Sequence, residues 1–279
     1  MDLHKHQSLK GARIATGLID PATNMELFFH TYGKGKPLII LHGLLGSSDN
    51  WFTIAKKLAE RFHVFAVDQR NHGRSPHSNE FTYEAMVQDI KEFMQQHGLS
   101  SASLVGHSMG GKTAMALALT YPQVVDSLVV VDIAPRSYGA QHDYIFDALY
   151  AVNLRQFKSR REIDEALTKS IPAFATRQFL MKNLGREEDG SFKWKMNLAV
   201  IHRNYHEINK SVDGMPFSNP ALFLRGGKSG YVQETDTTEI NRLFPKSSMV
   251  TIQDAGHWIH ADAPEEFVRV VLDFLLKSR

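Results

Sequence analysis

Apolar residues follow two alternating rhythms along this chain. One is the short unbroken run: "PLIILHG" (Pro37 to Gly43), "HVFAVDQ" (His63 to Gln69), "SASLVGHS" (Ser101 to Ser108), "VDSLVVVDIAP" (Val125 to Pro135), "ALFLRGG" (Ala221 to Gly227) and "SSMVTIQDAG" (Ser247 to Gly256). Runs of this kind predict strands buried on both faces, as in a parallel sheet. The other rhythm repeats about every 3.6 residues and predicts helices. Tyr83, Met86, Val87, Ile90, Phe93, Met94 and His97 fall on one helical face. "GGKTAMALALTYP" is a second helix, closed by Pro122, and "DTTEINRLF" and "APEEFVRVVLDFLLKS" are two more. In the last, Pro264 stands near the start, with Glu265 and Glu266 in the first turn. "SSDNWFTIAKKLAERF" is also helical, with Ser47 or Ser48 as N-cap and Asp49 suited to the first turn. "MELFFHTYG" is the candidate for an antiparallel edge strand. Strands alternating with helices predict an α/β fold: a mostly parallel central sheet flanked by helices.

The rhythm breaks between about Arg136 and Ser218. No strand-like run stands out there, and the segment is rich in charge and aromatics. "REIDEALTKSI" and "FKWKMNLAVIHRNYHEI" carry helical patterns. The stretch is too long for an ordinary loop. It is expected to be a helical lid, residues 136–218, inserted into a core made of residues 1–135 and 219–279.

Composition narrows the class. The chain has 279 residues, 43% of them hydrophobic and 22% charged, which suits a globular domain with a real core. Its 32 basic and 30 acidic residues nearly balance, so no nucleic-acid footprint is expected. The absence of cysteine removes disulfides, thiolate metal sites and a cysteine nucleophile, and fits a reducing compartment. The N-terminal "MDLHKHQSLKGARIATGLID" lacks the apolar centre of a signal peptide. No run approaches the roughly 18 apolar residues of a membrane helix. A cytoplasmic protein without stable membrane insertion is the expectation.

Candidate chemistry concentrates at "GHSMG", Gly106 to Gly110. This G-x-S-x-G sits where a strand gives way to a helix, the setting in which a serine is thrust out on a sharp turn. Gly106 and Gly110 clear the space such a turn needs. Ser108 then lies at the carboxyl end of the sheet and at a helix N-terminus, which favours developing negative charge. A serine hydroxyl needs a base. Of the 14 histidines, His257 follows the last strand-like run, so it should share the sheet end of Ser108. His260, three residues on, is the fallback. His42 and His107 lie inside tight glycine turns. Oxyanion donors are expected from the backbone N–H of Met109 and, in the loop "HGLLGSS", of Leu44.

In this order, "HGLLGSSDNW", "VDQRNHGRSPHS", "GHSMGG", "VVVDIAP" and "GHWIHADAPEEF" resemble the α/β-hydrolase superfamily over nearly the whole chain. More narrowly, "DQRNHGRS", "VGHSMGGKTAM", "VVVDIAP" and "LRGGKSGYV" resemble the YbfF-type esterases and their mitochondrial abhydrolase-domain relatives. The resemblance implies a Ser–His–acid hydrolase without a cofactor or metal. Its substrate would be a small-molecule acyl ester, with an acyl-CoA thioester or a slow ligand-binding receptor of the same fold as alternatives.

The third member of the triad is less plain. Most members of the superfamily carry it just after the strand that reads "ALFLRGG" here, but this chain continues Lys228-Ser229-Gly230-Tyr231. Asp132 closes the strand after the nucleophile strand and keeps the chain order Ser108, Asp132, His257. The narrower family also has an aspartate there, and a serine at Ser229, an accessory hydrogen-bond donor in that reading. Asp236 is a rival acid, more suited to capping the next helix. Asp68 with Arg70 is expected to hold the loop beside the oxyanion turn. Phe146, Leu149, Tyr150, Phe174, Phe179 and Leu180 are candidates for an acyl pocket, and Trp51 and Trp258 for its walls.

Overall fold

The computed structural model describes residues 25–278. The reading of the N-terminus as free of a signal peptide concerns residues outside this range. Strands β1 (Phe29–Tyr32), β2 (Pro37–Leu41) and β3 (His63–Val67) begin the sheet, with α1 (Phe52–Leu58) between the last two. Then come α2 (Tyr83–Gln96), β4 (Ala102–His107), α3 (Met109–Thr120) and β5 (Val125–Val131). The chain leaves the sheet through α4 (Asp143–Ala151), α5 (Arg160–Leu167), α6 (Phe174–Met181), β6 (Leu184–Arg186), β7 (Phe192–Trp194), α7 (Leu198–Arg203) and α8 (Tyr205–Ile208). It returns with β8 (Ala221–Gly226), α9 (Thr237–Leu243), β9 (Ser247–Ile252), α10 (Ile259–Asp262) and α11 (Pro264–Lys277).

The seven-stranded sheet has the order β1-β3-β2-β4-β5-β8-β9. Only β1 runs antiparallel, against β3. The unbroken apolar runs follow from this arrangement. In β2, Leu38 and Ile40 belong to a core with Trp51, Ile54 and Leu58 of the α1 side and with Phe267 and Val271 of α11. Ile39 and Leu41 belong to the opposite core, with Met86, Ile90 and Phe93 of α2 and Met115 of α3. Successive strand residues face opposite ways, so covering both faces with helices demands an apolar residue at every position.

Residues 136–218 depart from the purely helical expectation in one place. Leu184–Arg186 and Phe192–Trp194 pair as a short antiparallel hairpin, so "FKW" is strand and the helix expected there starts only at Leu198. The hairpin turn holds Gly190 at φ 82°, and Arg186 and Phe192 are too few alternations to betray a strand in sequence. Hydrogen bonds tie this segment to the core. Asn183 Nδ2 donates to Leu45 O at 2.5 Å, and Asn197 N–H donates to Asn71 O at 2.8 Å. Among the described residues no helix is long and apolar enough to cross a membrane.

Candidate active site

Ser108 stands between β4 and α3 at φ 52°, ψ −119°, a backbone state that L-residues rarely adopt. The glycines around it are there for want of space. A Cβ on Gly106 would lie 2.3 Å from Gly110 O, and one on Gly110 would lie 2.4 Å from Leu41 O. Gly43, in the loop after β2, is also crowded: a Cβ there would lie 2.8 Å from His107 Nδ1 and 3.2 Å from Ser108 Cβ. That approach sets the backbone of Gly43 and Leu44 against the nucleophile turn.

Two buried histidines fix that loop. His42 donates from Nδ1 to Gly43 O at 2.8 Å and accepts at Nε2 from Gln69 N–H at 3.0 Å. His72 accepts at Nε2 from Leu45 N–H at 3.1 Å and donates to Arg70 O at 2.9 Å. Each ring needs one bare nitrogen, so each must be neutral. Burial supplies this, pushing His42 down to about 4 and His72 to about 3. Asp68 holds the same region from below, accepting from Ser48 N–H at 2.6 Å and Arg74 N–H at 2.8 Å. Arg70 instead makes a two-pronged pair with Asp89, at 2.6 and 2.8 Å.

His257, on the loop between β9 and α10, donates from Nδ1 to Asp132 Oδ2 at 2.8 Å. Asp132 is fully buried at the end of β5. Its Oδ1 accepts from Gly226 N–H at 2.9 Å, and the Ser229 hydroxyl donates to its Oδ2. A buried carboxylate needs hydrogen-bond donors in place of water, and Gly226, Ser229 and His257 supply three. Asp236 lies elsewhere in the hydrogen-bond network: it accepts from Arg136 Nε and from Gln233 N–H, both at 2.8 Å.

His260 backs the site without reaching its cavities, and His107 lines one of them. His260 is buried and stacked on Trp51, with ring centroids 4.1 Å apart. His107 donates from Nε2 to His257 O at 2.8 Å, which fixes the loop that carries His257. Burial pushes His107 well below the usual histidine range and His260 down to about 3.

Two small cavities meet at Ser108. One, of about 40 Å³, is lined by Leu44, Ile145, Phe179, Leu180, His257 and Trp258. The other, of about 30 Å³, is lined by Leu44, Met109, Ile133 and Ile208 together with Lys112, Gln141, Tyr205 and Tyr231. His142, from the inserted segment, lines both.

Only Phe179 and Leu180 of the six expected pocket residues reach these cavities. Phe146 and Leu149 are buried in the packing of the inserted segment, with Phe146 stacked on His202. Tyr150 and Phe174 are exposed. Trp258 lines the site, whereas Trp51 is core. Helical periodicity shows which face is apolar, not whether that face meets a neighbouring helix or a cavity.

Sequence reasoning missed Tyr231, His142 and Lys112. Lys112 is buried, and its ammonium donates to Arg136 O at 2.7 Å and to Lys210 O. Burial, with the Arg136 charge nearby, brings it down to about 7. Its place four residues after Ser108 on α3 was the one available signal.

A family model described as alpha/beta hydrolase fold matches residues 36–264. The mouse protein "sn-1-specific diacylglycerol lipase ABHD11" is 42% identical over 247 residues, covering 85% of this chain and 80% of its own. "Esterase YbfF" of Escherichia coli is 35% identical over 243 residues, covering 87% of this chain and 94% of its own. A solved structure titled "Marine microorganism esterase" superposes with a TM-score of 0.88 at 44% identity, over 90% of this chain and 99% of that one.

Proposed function

The chain belongs to the α/β-hydrolase fold family and is a carboxylic ester hydrolase, and from that premise we propose that it works through a Ser108–His257–Asp132 triad and an acyl-enzyme. The observation that carries this reading is the His257–Asp132 hydrogen bond, made at the sheet edge where Ser108 and His257 line one cavity. His257 takes the Ser108 proton at Nε2 as Oγ attacks the carbonyl carbon. The N–H groups of Leu44 and Met109 hold the oxyanion, each contributing about 10²-fold or more in rate. Asp132 fixes the imidazole tautomer and stabilises the imidazolium. That proton then passes to the departing alkoxide, the acyl–Oγ ester remains, and water cleaves it by the same route.

The inserted segment 136–218 acts as the lid in this reading. Cavities of about 30 and 40 Å³ hold little more than a water molecule each, while substrate pockets span hundreds of Å³. In this reading the segment shifts to admit an acyl ester. Cysteine-free composition suits the cytoplasm, the compartment this reading carries.

Hydrolysis of a p-nitrophenyl ester series from acetate to palmitate, with Ser108→Ala as the blank, tests the proposal. Turnover by the wild type alone supports it, and the preferred chain length sizes the pocket. Wild-type rates equal to the blank on every ester overturn it for simple esters, and acyl-CoA thioesters are then the next substrates. No turnover of those either would leave the ligand-binding receptor.

A further inference from the structure

Tyr231 is joined to the triad from several sides. Its ring lies face to face with the imidazole of His257, with centroids 3.8 Å apart and planes 18° from parallel. Its N–H donates at 3.3 Å to Ser229 Oγ, the same hydroxyl that donates to Asp132. Its carbonyl accepts from Tyr138 OH at 2.8 Å and from Arg136 at 3.2 Å. Its own hydroxyl lies 3.2 Å from His142 Nε2, and His142 Nδ1 lies 2.6 Å from Tyr205 OH. His142 and Tyr205 both come from the inserted segment. A chain of direct contacts therefore runs from that segment through Tyr231 to the face of His257.

We infer that Tyr231 is a positioning residue for the catalytic base: its ring holds the His257 imidazole flat and stabilises the imidazolium formed during attack, and His142 locks that ring from the inserted segment. This rests on the triad reading above. An aromatic face carries negative quadrupole density and attracts a cation placed over it. His257 is such a cation only after it has taken the Ser108 proton, so the contact strengthens on the way to the transition state. The imidazolium's carboxylate partner is Asp132, at Nδ1, and the Tyr231 ring adds to it from the imidazole's face. His107, His142 and His260 are held neutral by burial, His142 at about 4, and the Lys182 charge acts on His260.

His142 also sets a direction. A neutral imidazole has one donor and one acceptor nitrogen, so Tyr205 and Tyr231 cannot both donate to it. Displacing the inserted segment removes His142 from Tyr231 and frees the tyrosine ring. The base would then be fully aligned only while the segment is seated.

The experiment compares Tyr231→Phe, Tyr231→Leu and pentafluorophenylalanine in place of Tyr231, alone and with His142→Gln. Tyr231→Leu should lower kcat by roughly 3- to 30-fold with little change in KM, and shift the acid limb of kcat/KM to lower pH. Pentafluorophenylalanine keeps the packing but reverses the ring quadrupole, so it should behave like Leu even where Leu disturbs the fold. Tyr231→Phe should keep the wild-type limb, lose a few-fold in kcat, and show no further loss when His142→Gln is added. An unshifted limb with pentafluorophenylalanine overturns the role of the ring, and additive losses overturn the role of His142. If Ser108→Ala retains full turnover, the triad reading has failed instead. The NMR titration of the His257 imidazole, assigned with His257→Gln, reads the ring's effect without turnover and separates the two failures.

Discussion

Ser108 and Asp132 stand side by side at the carboxyl edge of the sheet, and both are held at φ 52°. The residues before them, His107 and Val131, are paired across β4 and β5, and Ser108 N–H donates to Val131 O at 3.0 Å. Two adjacent strands thus end in a residue at the same positive φ, and each such residue is a candidate catalytic side chain. Strain of this kind persists only where surrounding structure holds it, and it clusters at functional sites.

Asp132→Asn should lower kcat by about 10³- to 10⁴-fold, because the amide cannot stabilise an imidazolium or hold its tautomer. The fold should survive, since Asn retains an oxygen for Gly226 N–H. Asp236→Asn is the control and should stay within about twofold of wild type. Steady-state kinetics on one ester checks both; a steep loss in Asp236→Asn with an active Asp132→Asn would sink the acid assignment.

Ser229→Ala removes the hydroxyl that shares Asp132 Oδ2 with His257. A hydrogen bond to a buried charge typically contributes about 1.5–3 kcal/mol, so kcat should drop by roughly tenfold or more. KM should hold, since Ser229 lines neither cavity at Ser108. An unchanged kcat with a raised KM would assign Ser229 to substrate binding.

Acid should destabilise the fold before the carboxylates titrate. Burial holds His42 and His142 at about 4, His72 and His260 at about 3, and His107 well below the usual range. The unfolded chain binds these protons below about pH 6.5, while the folded chain does not until pH approaches 4 to 3. Stability is therefore full above pH 6.5 and falls as pH drops through that window, at up to about 1.4 kcal/mol per pH unit for each histidine. Thermal melts at pH 7.5, 6 and 5 should show Tm falling at each step; a flat Tm would contradict the neutral-histidine picture.

Lys112→Met should loosen the inserted segment. Arg136 and Lys210 lie where the chain leaves for that segment and returns from it, and the Lys112 ammonium donates to both carbonyls. Each buried acceptor left without a donor costs about 1–3 kcal/mol. Limited proteolysis should then cut near residues 136–143 and 209–216 well before the core unfolds. Cleavage at the wild-type rate would show that the ammonium is not what fastens the two ends.

The central sheet was legible because covering both faces of parallel strands forces an unbroken apolar run, a pattern local to each strand. The nucleophile turn was legible for a related reason: Gly106 and Gly110 are required by atoms within a few residues, or on the adjoining strand. The two-stranded hairpin in the inserted segment was not legible, since three-residue strands carry no countable alternation. Of the eight residues expected to line the site from that segment or as tryptophan walls, Phe179, Leu180 and Trp258 do so. Amphipathic spacing marks an apolar face without saying what covers it.

Sequence by itself determined the strand–helix order, the sharp turn at Ser108 and the loop position of His257, because each depends on neighbours close along the chain. Sequence also favoured Asp132 over Asp236 by strand position and resemblance, but the contact itself is tertiary, since Asp132 and His257 are 125 residues apart and meet only across the sheet edge. Tertiary structure also decided that Tyr231 covers the imidazole, that His142 reaches in from the inserted segment, and that Lys112 fastens the segment's two ends. Apart from the place of Lys112 four residues after Ser108, little in the neighbouring sequence distinguishes these residues, because their partners are brought together by the packing of the inserted segment on the core.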